Sequence, residues 1–471
     1  MQEDSNRWSG RHELIAIETD GPSVSSVPSE TESVLKRFRD VPSFLQLGCE
    51  SGPGASYHTD WMRFSSFRSP GIASMTAQLL SRLKVAWTVF AVAAFTLAGA
   101  ASRPGLADEK PGSGSLAAAV QPFVDSHTLA GAVLLVADKD RTLATETAGF
   151  ADIAGKKPME PVSLFWIASM SKPITAAALM ILVDEGKVKL DDPVEKYLPE
   201  FKNLWLTNEK DDSHILLKRP SHPITIRECL SHTSGLPFKS EMETPTLDGL
   251  PLKDAVRSYT ITPMIFDPGT KYTYSNAGIN TAGRIIEVVS GKPYETFLDE
   301  RLFAPLGMKD TTFWPSEEQV ARLAKSYRPD ASKTNLDEFP ISQLLYPLSD
   351  RAHRFPMPGG GLFGTAEDMA RFCRMILGDG TFEGKKILSA ESVGELTKRQ
   401  TPESVKESYG LGFSTGGGSF GHGGAHATNM SIDKKAGLIF VYMVQHGGYA
   451  NMDGNQIQPA FQKAARARFG K

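Results

Sequence analysis

Ser169 and Lys172 stand three residues apart in Ser169-Met170-Ser171-Lys172, directly after the apolar run 164–168 and at the head of a helical pattern that reaches about Glu185. Residues three apart on a helix share a face, so this spacing brings a hydroxyl and an amine within hydrogen-bonding reach. A serine hydroxyl is a poor nucleophile at neutral pH until a partner takes its proton, and a lysine serves once burial lowers its pKa. The same spacing occurs at Ser33 and Lys36, Ser81 and Lys84, and Ser431 and Lys434, so context has to select among them. Tyr274-Ser275-Asn276 precedes a second helical pattern. In a cationic pocket the phenol is expected to have a lowered pKa and relay a proton, while the amide holds the lysine and contacts a substrate carbonyl. Tyr449 and Asn451 repeat that spacing, but after the last strand pattern. His422-Gly423-Gly424-Ala425 lies on a glycine-rich strand pattern, where a substrate backbone can approach and the Ala425 and Ser169 amides can share an oxyanion. His446-Gly447-Gly448 ends the following strand pattern and reads as a turn.

Other short matches lack the context their chemistry needs. Gly412-Phe413-Ser414-Thr415-Gly416 fits the esterase elbow G-x-S-x-G, yet glycine and another strand follow where a helix is required, which makes Ser414 structural. Residues 359–364 and 416–421 match a dinucleotide glycine pattern without the parallel strand, helix and acidic follower of a nucleotide site. His422 and His426 are four apart, a spacing that pairs metal ligands only on a helix, and the glycines between them argue against one. His232, in a turn after a helix, reads as a hydrogen-bonded structural residue.

These groups must be positioned by elements at both ends of the chain. Residues 116–126 read as a helix, and 131–137 with 142–148 as a β-hairpin. Leu190 to Pro223 reads as loops. Helices are expected at 224–230, 276–290 and 294–302, and from Thr365, where Asp368 three residues on suggests a capping box, to Leu377. Strands at 409–414, 419–423, 428–433 and 438–445 and a helix at 456–468 close the chain. The pattern predicts an α/β (α+β) fold, an antiparallel sheet built from both chain ends and flanked by helices, with an inserted, mostly helical domain and the active site between the two. The loops 201–223 and 239–251 are expected to shape the pocket.

The chain has 471 residues, 41% of them hydrophobic and 22% charged, enough for a large core. A net charge of −3 without a long basic run gives no reason to expect nucleic acid as a partner. Cys49, Cys229 and Cys373 lack metal-ligand spacing, and the latter two lie in helical patterns as buried thiols. Residues 1–74 are polar and without apolar periodicity, an N-terminal extension that is disordered or comes from an over-extended reading frame. Residues 75–107 read as a signal peptide: Arg82 and Lys84, an apolar run at 85–101, then small residues at 98–100 or 105–107. Met75 is then the expected start, 108–115 a linker, and the protein periplasmic or secreted; a membrane is involved only if the 85–101 segment stays uncleaved.

Taken in order, the three constellations resemble the motifs of the serine β-lactamase and penicillin-binding-protein superfamily, most closely its class C and esterase-like branch. The resemblance covers about residues 116–468, read as one hydrolase domain, with supporting stretches at 164–168, 230–237, 358–368 and 409–413. It implies Ser169 as the acylated nucleophile, Lys172 and Tyr274 as the base pair, Asn276 as the substrate-amide contact, and His422, Gly423 and Gly424 as the third motif. Members that act on β-lactams or D-alanyl peptides usually carry lysine where His422 falls, with a hydroxyl residue next. Histidine is largely neutral at pH 7, and Gly423 has no hydroxyl. The resemblance therefore implies acyl-serine hydrolysis of an ester or amide more firmly than β-lactam recognition. A class C-type β-lactamase, a D-alanyl-D-alanine carboxypeptidase and a non-catalytic penicillin-binding or sensor domain are the alternatives. The expected partner is a small acyl substrate (ester, amide or β-lactam), with neither metal nor organic cofactor required.

Overall fold

The computed structural model describes residues 114–449 and 452–470, together with the strand Ile15–Glu18. The rest of the N-terminal extension, the proposed leader, the apolar segment 85–101 and Cys49 lie outside the described residues, as does Asn451. Among the described residues no helix is long and apolar enough to cross a membrane.

Helix α1 (Leu116–Asp125) starts where the Ser115 hydroxyl accepts from the Ala118 N–H. Strands β1 (Gly131–Ala137) and β2 (Thr142–Asp152) form the expected hairpin, and the short β3 (Lys157–Pro158) adds an edge. The two-residue strand β4 (Phe165–Trp166) leads through a 3-10 turn, Ala168–Met170, into helix α2 (Ser171–Asp184). Helices α3 (Ile226–Leu230), α4 (Leu252–Tyr259) and α5 (Asn276–Ser290) follow, then β5 (Phe363–Gly364) and α6 (Ala366–Leu377). Strands β6 (Ser414–Gly416), β7 (Ser419–Gly423), β8 (Asn429–Asp433) and β9 (Leu438–Met443) precede the last helix, α7 (Ile457–Phe469).

The central sheet is antiparallel in the order β6-β7-β8-β9-β1-β2-β3, so strands from the two chain ends meet where β9 pairs with β1. Side chains alternate across a strand, and here both faces are covered. Val133, Leu135 and Ala137 of β1 join Ile439, Val441 and Met443 of β9 in the large core that contains α2. Ala132, Leu134 and Val136 instead meet Leu438, Phe440, Tyr442 and the helices α1 and α7 through Leu116, Val120 and Phe461. Double coverage explains why β1 reads as an uninterrupted apolar run. Helix α2 is buried from Ser171 to Leu182, and so carries little polar face of its own. The helical middle of the chain is inserted as expected, with Cys229 and Cys373 buried as free thiols.

Four local expectations need correction. The loop region before Pro223 contains an antiparallel hairpin, Leu206–Lys210 with His214–Lys218, whose turn is tied by Asp211 accepting from the Ser213 and His214 N–H groups; Ile15–Glu18 pairs with its second strand. The helix from Tyr294 ends its regular part at Leu298, widens into a π-turn over Asp299–Phe303 and finishes at Leu306. Pro305 brings no N–H to the carbonyl one turn back, which suits that irregularity. Thr365 caps α6 by accepting from the Asp368 N–H, but the Asp368 carboxylate turns away to accept from the Asp310 N–H and the Thr311 hydroxyl, so the box is half made. Finally, residues 409–413 are not strand: Gly412 takes a left-handed φ of 71° and packs against the Lys172 carbonyl, and pairing starts at Ser414.

Candidate active site

Ser169 sits on a constrained elbow. Ala168 before it has φ 47°, a left-handed conformation that costs a residue with a Cβ and persists only when its surroundings hold it. They do: β4 pairs with β5, the Ile167 N–H donates to Leu362 O at 3.0 Å, the Ser171 hydroxyl donates to Ala168 O at 2.7 Å, and the Trp166 indole donates to Gly360 O at 2.8 Å. The elbow is therefore fixed before any ligand arrives.

The Lys172 ammonium position lies beneath Ser169 with no exposure to solvent. Its Nζ is 3.1 Å from Ser169 Oγ, 2.7 Å from Asn276 Oδ1 and 2.5 Å from Gly359 O. No carboxylate is among these partners, and burial lowers the lysine pKa well below its ordinary value. A neutral amine has two protons and one lone pair; with both protons given to Asn276 and Gly359, the lone pair is left for the Ser169 hydroxyl. Gly359 was not anticipated as a partner. Its N–H donates to Asn280 Oδ1 at 2.9 Å, and a Cβ there would come 2.8 Å from Asn276 Oδ1, so glycine is required for the carbonyl to reach the amine. The signal was the run Pro358-Gly359-Gly360-Gly361, noted only as a glycine match and as a supporting stretch.

Tyr274 joins the same group: its hydroxyl hydrogen-bonds Ser169 and its ring stands 4.5 Å from Lys172 Nζ. The expected lowering of its pKa is reversed. Burial raises it, with the Ser169 hydrogen bond only partly opposing, because the neighbouring amine is itself desolvated and supplies little positive charge. The phenol therefore keeps its proton. His232 supports this segment from below, its Nδ1 accepting from the Ser275 N–H at 3.2 Å and its ring packing 4.6 Å from that of Tyr274. Burial holds His232 well below its ordinary pKa, a neutral structural role as expected.

A cavity of about 310 Å³ opens over Ser169, and Tyr274, Asn276, Gly423, Gly424 and Ala425 line it. Gly424 brings the end of β7 against the elbow: a Cβ there would meet Ile167 O at 2.6 Å and Thr428 Oγ1 at 2.1 Å. His422 departs from expectation. It is buried behind that wall and does not line the cavity, with Nδ1 2.6 Å from Gly423 O and Nε2 2.9 Å from the Tyr409 hydroxyl. The pattern fits a neutral ring that donates through Nδ1 and accepts at Nε2, and burial, with the nearby Lys172, pushes its pKa down to about 3. Apolar walls come from Trp166, Phe238, Leu247 and Met357, and Gln343 adds one amide; the lining residues include no carboxylate and no arginine.

The competing matches fall elsewhere. Ser431 lies in β8, and Lys434 pairs with Asp379 at the surface. Ser414 is exposed at the start of β6. His446 accepts from the Ala130 N–H at 3.0 Å and stacks on Tyr449. His426 is engaged with Ser326, apart from His422, and among the described residues no group of three or more histidine, cysteine or acidic side chains is arranged to hold a metal.

Comparison with known proteins places this geometry in a family. The family model described as Beta-lactamase matches residues 116–461. An uncharacterized protein of Mycobacterium tuberculosis is 34% identical over 366 residues, 70% of this chain and 89% of that one. Esterase EstB of Burkholderia gladioli is 27% identical over 403 residues, covering 75% and 96% of the two chains. Among solved structures, EstCE1, a hydrolase with promiscuous acyltransferase activity, aligns with a TM-score of 0.61 at 23% identity over 74% of this chain and 97% of that one. Simvastatin synthase (LovD) from Aspergillus terreus aligns with a TM-score of 0.62 at 21% identity, over 75% and 98%. A family model covering most of the chain, on a sheet and elbow of this form, leads to one conclusion: the chain belongs to the Beta-lactamase family.

Proposed function

We propose that the protein is an exported serine hydrolase that cleaves neutral esters through an acyl-enzyme on Ser169. The observation that carries the reading is the 3.1 Å contact between Ser169 Oγ and the buried Lys172 Nζ, which has no carboxylate partner to keep it charged. In the first step the Lys172 lone pair takes the hydroxyl proton while Oγ attacks the ester carbonyl. The resulting oxyanion sits between the N–H groups of Ser169 and Ala425. As the tetrahedral species collapses, the carbon–oxygen bond to the leaving alcohol breaks and the alkoxide takes a proton from the Tyr274 hydroxyl, which burial keeps protonated. Lys172 then returns its proton to the phenolate. Water then loses a proton to the same pair as it attacks the acyl-serine, and on collapse the carbon–Oγ bond breaks, that proton passes to Ser169 Oγ and the acid is released. Asn276 Nδ2, with Oδ1 engaged by Lys172, is the donor left for the substrate.

Preference for an uncharged ester rests on the cavity lining, where no cation faces the ligand and His422 is neutral and turned away. A carboxylate-bearing β-lactam or D-peptide would be desolvated there without a counter-charge. The names of esterase EstB and EstCE1 agree with this reading. Export rests on the segment 75–107 alone. The test is turnover of a short-chain chromogenic ester beside a chromogenic cephalosporin, for wild type and Ser169→Ala. Ester hydrolysis lost in the variant, with little cephalosporin turnover, supports the proposal. Efficient cephalosporin turnover would replace the substrate class, and activity that survives in Ser169→Ala would remove the nucleophile.

A further inference from the structure

Ala425 has a methyl side chain and Gly424 has none, so neither can anchor the loop 424–428 on which the Ala425 N–H is carried. Within the loop Gly424 N–H donates to Thr428 O at 2.7 Å and Ala427 N–H to Gly424 O at 3.0 Å, Ala427 is held at a left-handed φ of 65°, and at the loop's far end the Thr428 hydroxyl donates to Ile167 O at 3.4 Å. The next side chain, His426, reaches out of the loop instead. It is 5% exposed and absent from the cavity lining.

Its imidazole stands edge-on to Trp166, with centroids 4.9 Å apart at 87°, and lies 4.9 Å from the ring of Phe339. Nδ1 is 2.9 Å from Ser326 Oγ, and the His426 carbonyl accepts from the His446 N–H at 3.0 Å. Trp166 belongs to β4, the strand that ends in the Ser169 elbow, and its indole is pinned to Gly360 O. One side chain thus spans the loop that carries one candidate oxyanion donor and the strand that presents the other, and ties both to the segment of Ser326 and Phe339. Burial lowers its pKa to about 4, so it contributes shape and one hydrogen bond, not charge.

We propose that His426 is a positioning residue, holding the Ala425 N–H in register with the Ser169 N–H by bridging Trp166, Phe339 and Ser326. The inference rests on the acyl-serine reading above. Small displacements of an oxyanion donor lower the rate without weakening ground-state binding, because the donor is aimed at charge that develops only in the transition state.

The experiment compares wild type with His426→Phe, Ser326→Ala and His426→Asn, using a p-nitrophenyl ester for turnover and a p-nitrophenyl alkylphosphonate for the rate of covalent capture at Ser169. His426→Phe keeps a ring between Trp166 and Phe339 but loses the Ser326 bond; Ser326→Ala loses only that bond; His426→Asn keeps a polar atom near the Nδ1 position. The expected result is a loss in kcat and in phosphonylation rate of about tenfold for the first two, KM within about twofold, and partial recovery in His426→Asn. A kcat and phosphonylation rate within about twofold of wild type in Ser326→Ala and in a folded His426→Phe, or a rise in KM with kcat intact, overturns the proposal. Should His426→Phe not fold, Ser326→Ala decides. Wild type labelled at Ser169 with variants labelled equally fast would discard the positioning role and leave the hydrolase reading standing. Wild type that is not labelled at all would discard both.

Discussion

Replacing Lys172 by methionine separates two consequences of one buried amine. Methionine matches the stem in length but has no atom basic enough to take the Ser169 proton, and general-base assistance is worth about a hundredfold to ten-thousandfold, or roughly 3–5 kcal/mol of barrier. Ester turnover should fall at least a hundredfold. Stability behaves differently. The substitution strands Asn276 Oδ1 and Gly359 O, now 2.7 and 2.5 Å from Nζ, at roughly 1–3 kcal/mol for each unpaired buried acceptor. Against this, it removes a group whose pKa burial drives well below the ordinary lysine value of 10.5. The folded state then binds fewer protons than the unfolded chain, so this lysine makes stability rise with pH across the window whose upper edge is 10.5. The slope is about 1.4 kcal/mol per pH unit, and the methionine variant lacks it. Urea unfolding at pH 8 and pH 10 should show wild type gaining stability relative to Lys172→Met over that interval, by up to about 2.5 kcal/mol. A difference between the two proteins that does not change with pH would mean that Lys172 is protonated in the fold, and the proposed base would be lost with it.

Three further outcomes are expected. Gly424→Ala places a methyl 2.6 Å from Ile167 O and 2.1 Å from Thr428 Oγ1, so the end of β7 must move off the elbow; kcat should fall about a hundredfold, and a value within twofold of wild type would show that Ala425 is not an oxyanion donor. Arg354→Ala leaves Asp248 buried without its 2.7 Å partner, and a loss of about 3–5 kcal/mol is expected in urea unfolding; less than about 1 kcal/mol would mean that water reaches the site. His422, His426 and His446 are held neutral by burial, at about 3, 4 and 4 against 6.5, so their effect is absent above pH 6.5 and grows as pH falls towards 4. Each should cost about 2 kcal/mol by pH 5, and an unfolding midpoint unchanged between pH 7.5 and pH 5 would refute their neutrality.

The sequence made the Ser169–Lys172 contact legible because helical spacing alone brings the two together, and it made the central strands legible because β1 and β9 are apolar on both faces. The site's third dimension was harder to read. Gly359 meets Lys172 across 187 residues, through a carbonyl that any residue type carries, so no side-chain pattern announces it. The protonation of Tyr274 depends on whether its cationic neighbour is solvated, which spacing does not reveal. His422 sits in the expected motif, yet its ring turns towards Tyr409, a residue assigned from sequence to a strand that the left-handed Gly412 interrupts. The hairpin at 206–218 was missed because its first strand is mostly exposed and charged, and its half-buried second strand shows no clean alternation.

The pairing of β1 with β9 also bears on how a ribosome can deliver this protein. Val133 faces Met443 and Leu134 faces Tyr442, partners separated by roughly 300 residues of chain. During synthesis the early hairpin, apolar on both faces of β1, waits for its neighbour until almost the whole domain has been translated, and the elbow of Ser169 waits with it for the loop of Ala425. The nascent chain therefore passes through a long interval with its central strand edge uncovered, when a chaperone has a surface to hold. The Ser169 elbow and the loop of Ala425 come together in one step once β9 is in place, and a chain broken off before Leu438 has the elbow but no sheet centre on which to mount it.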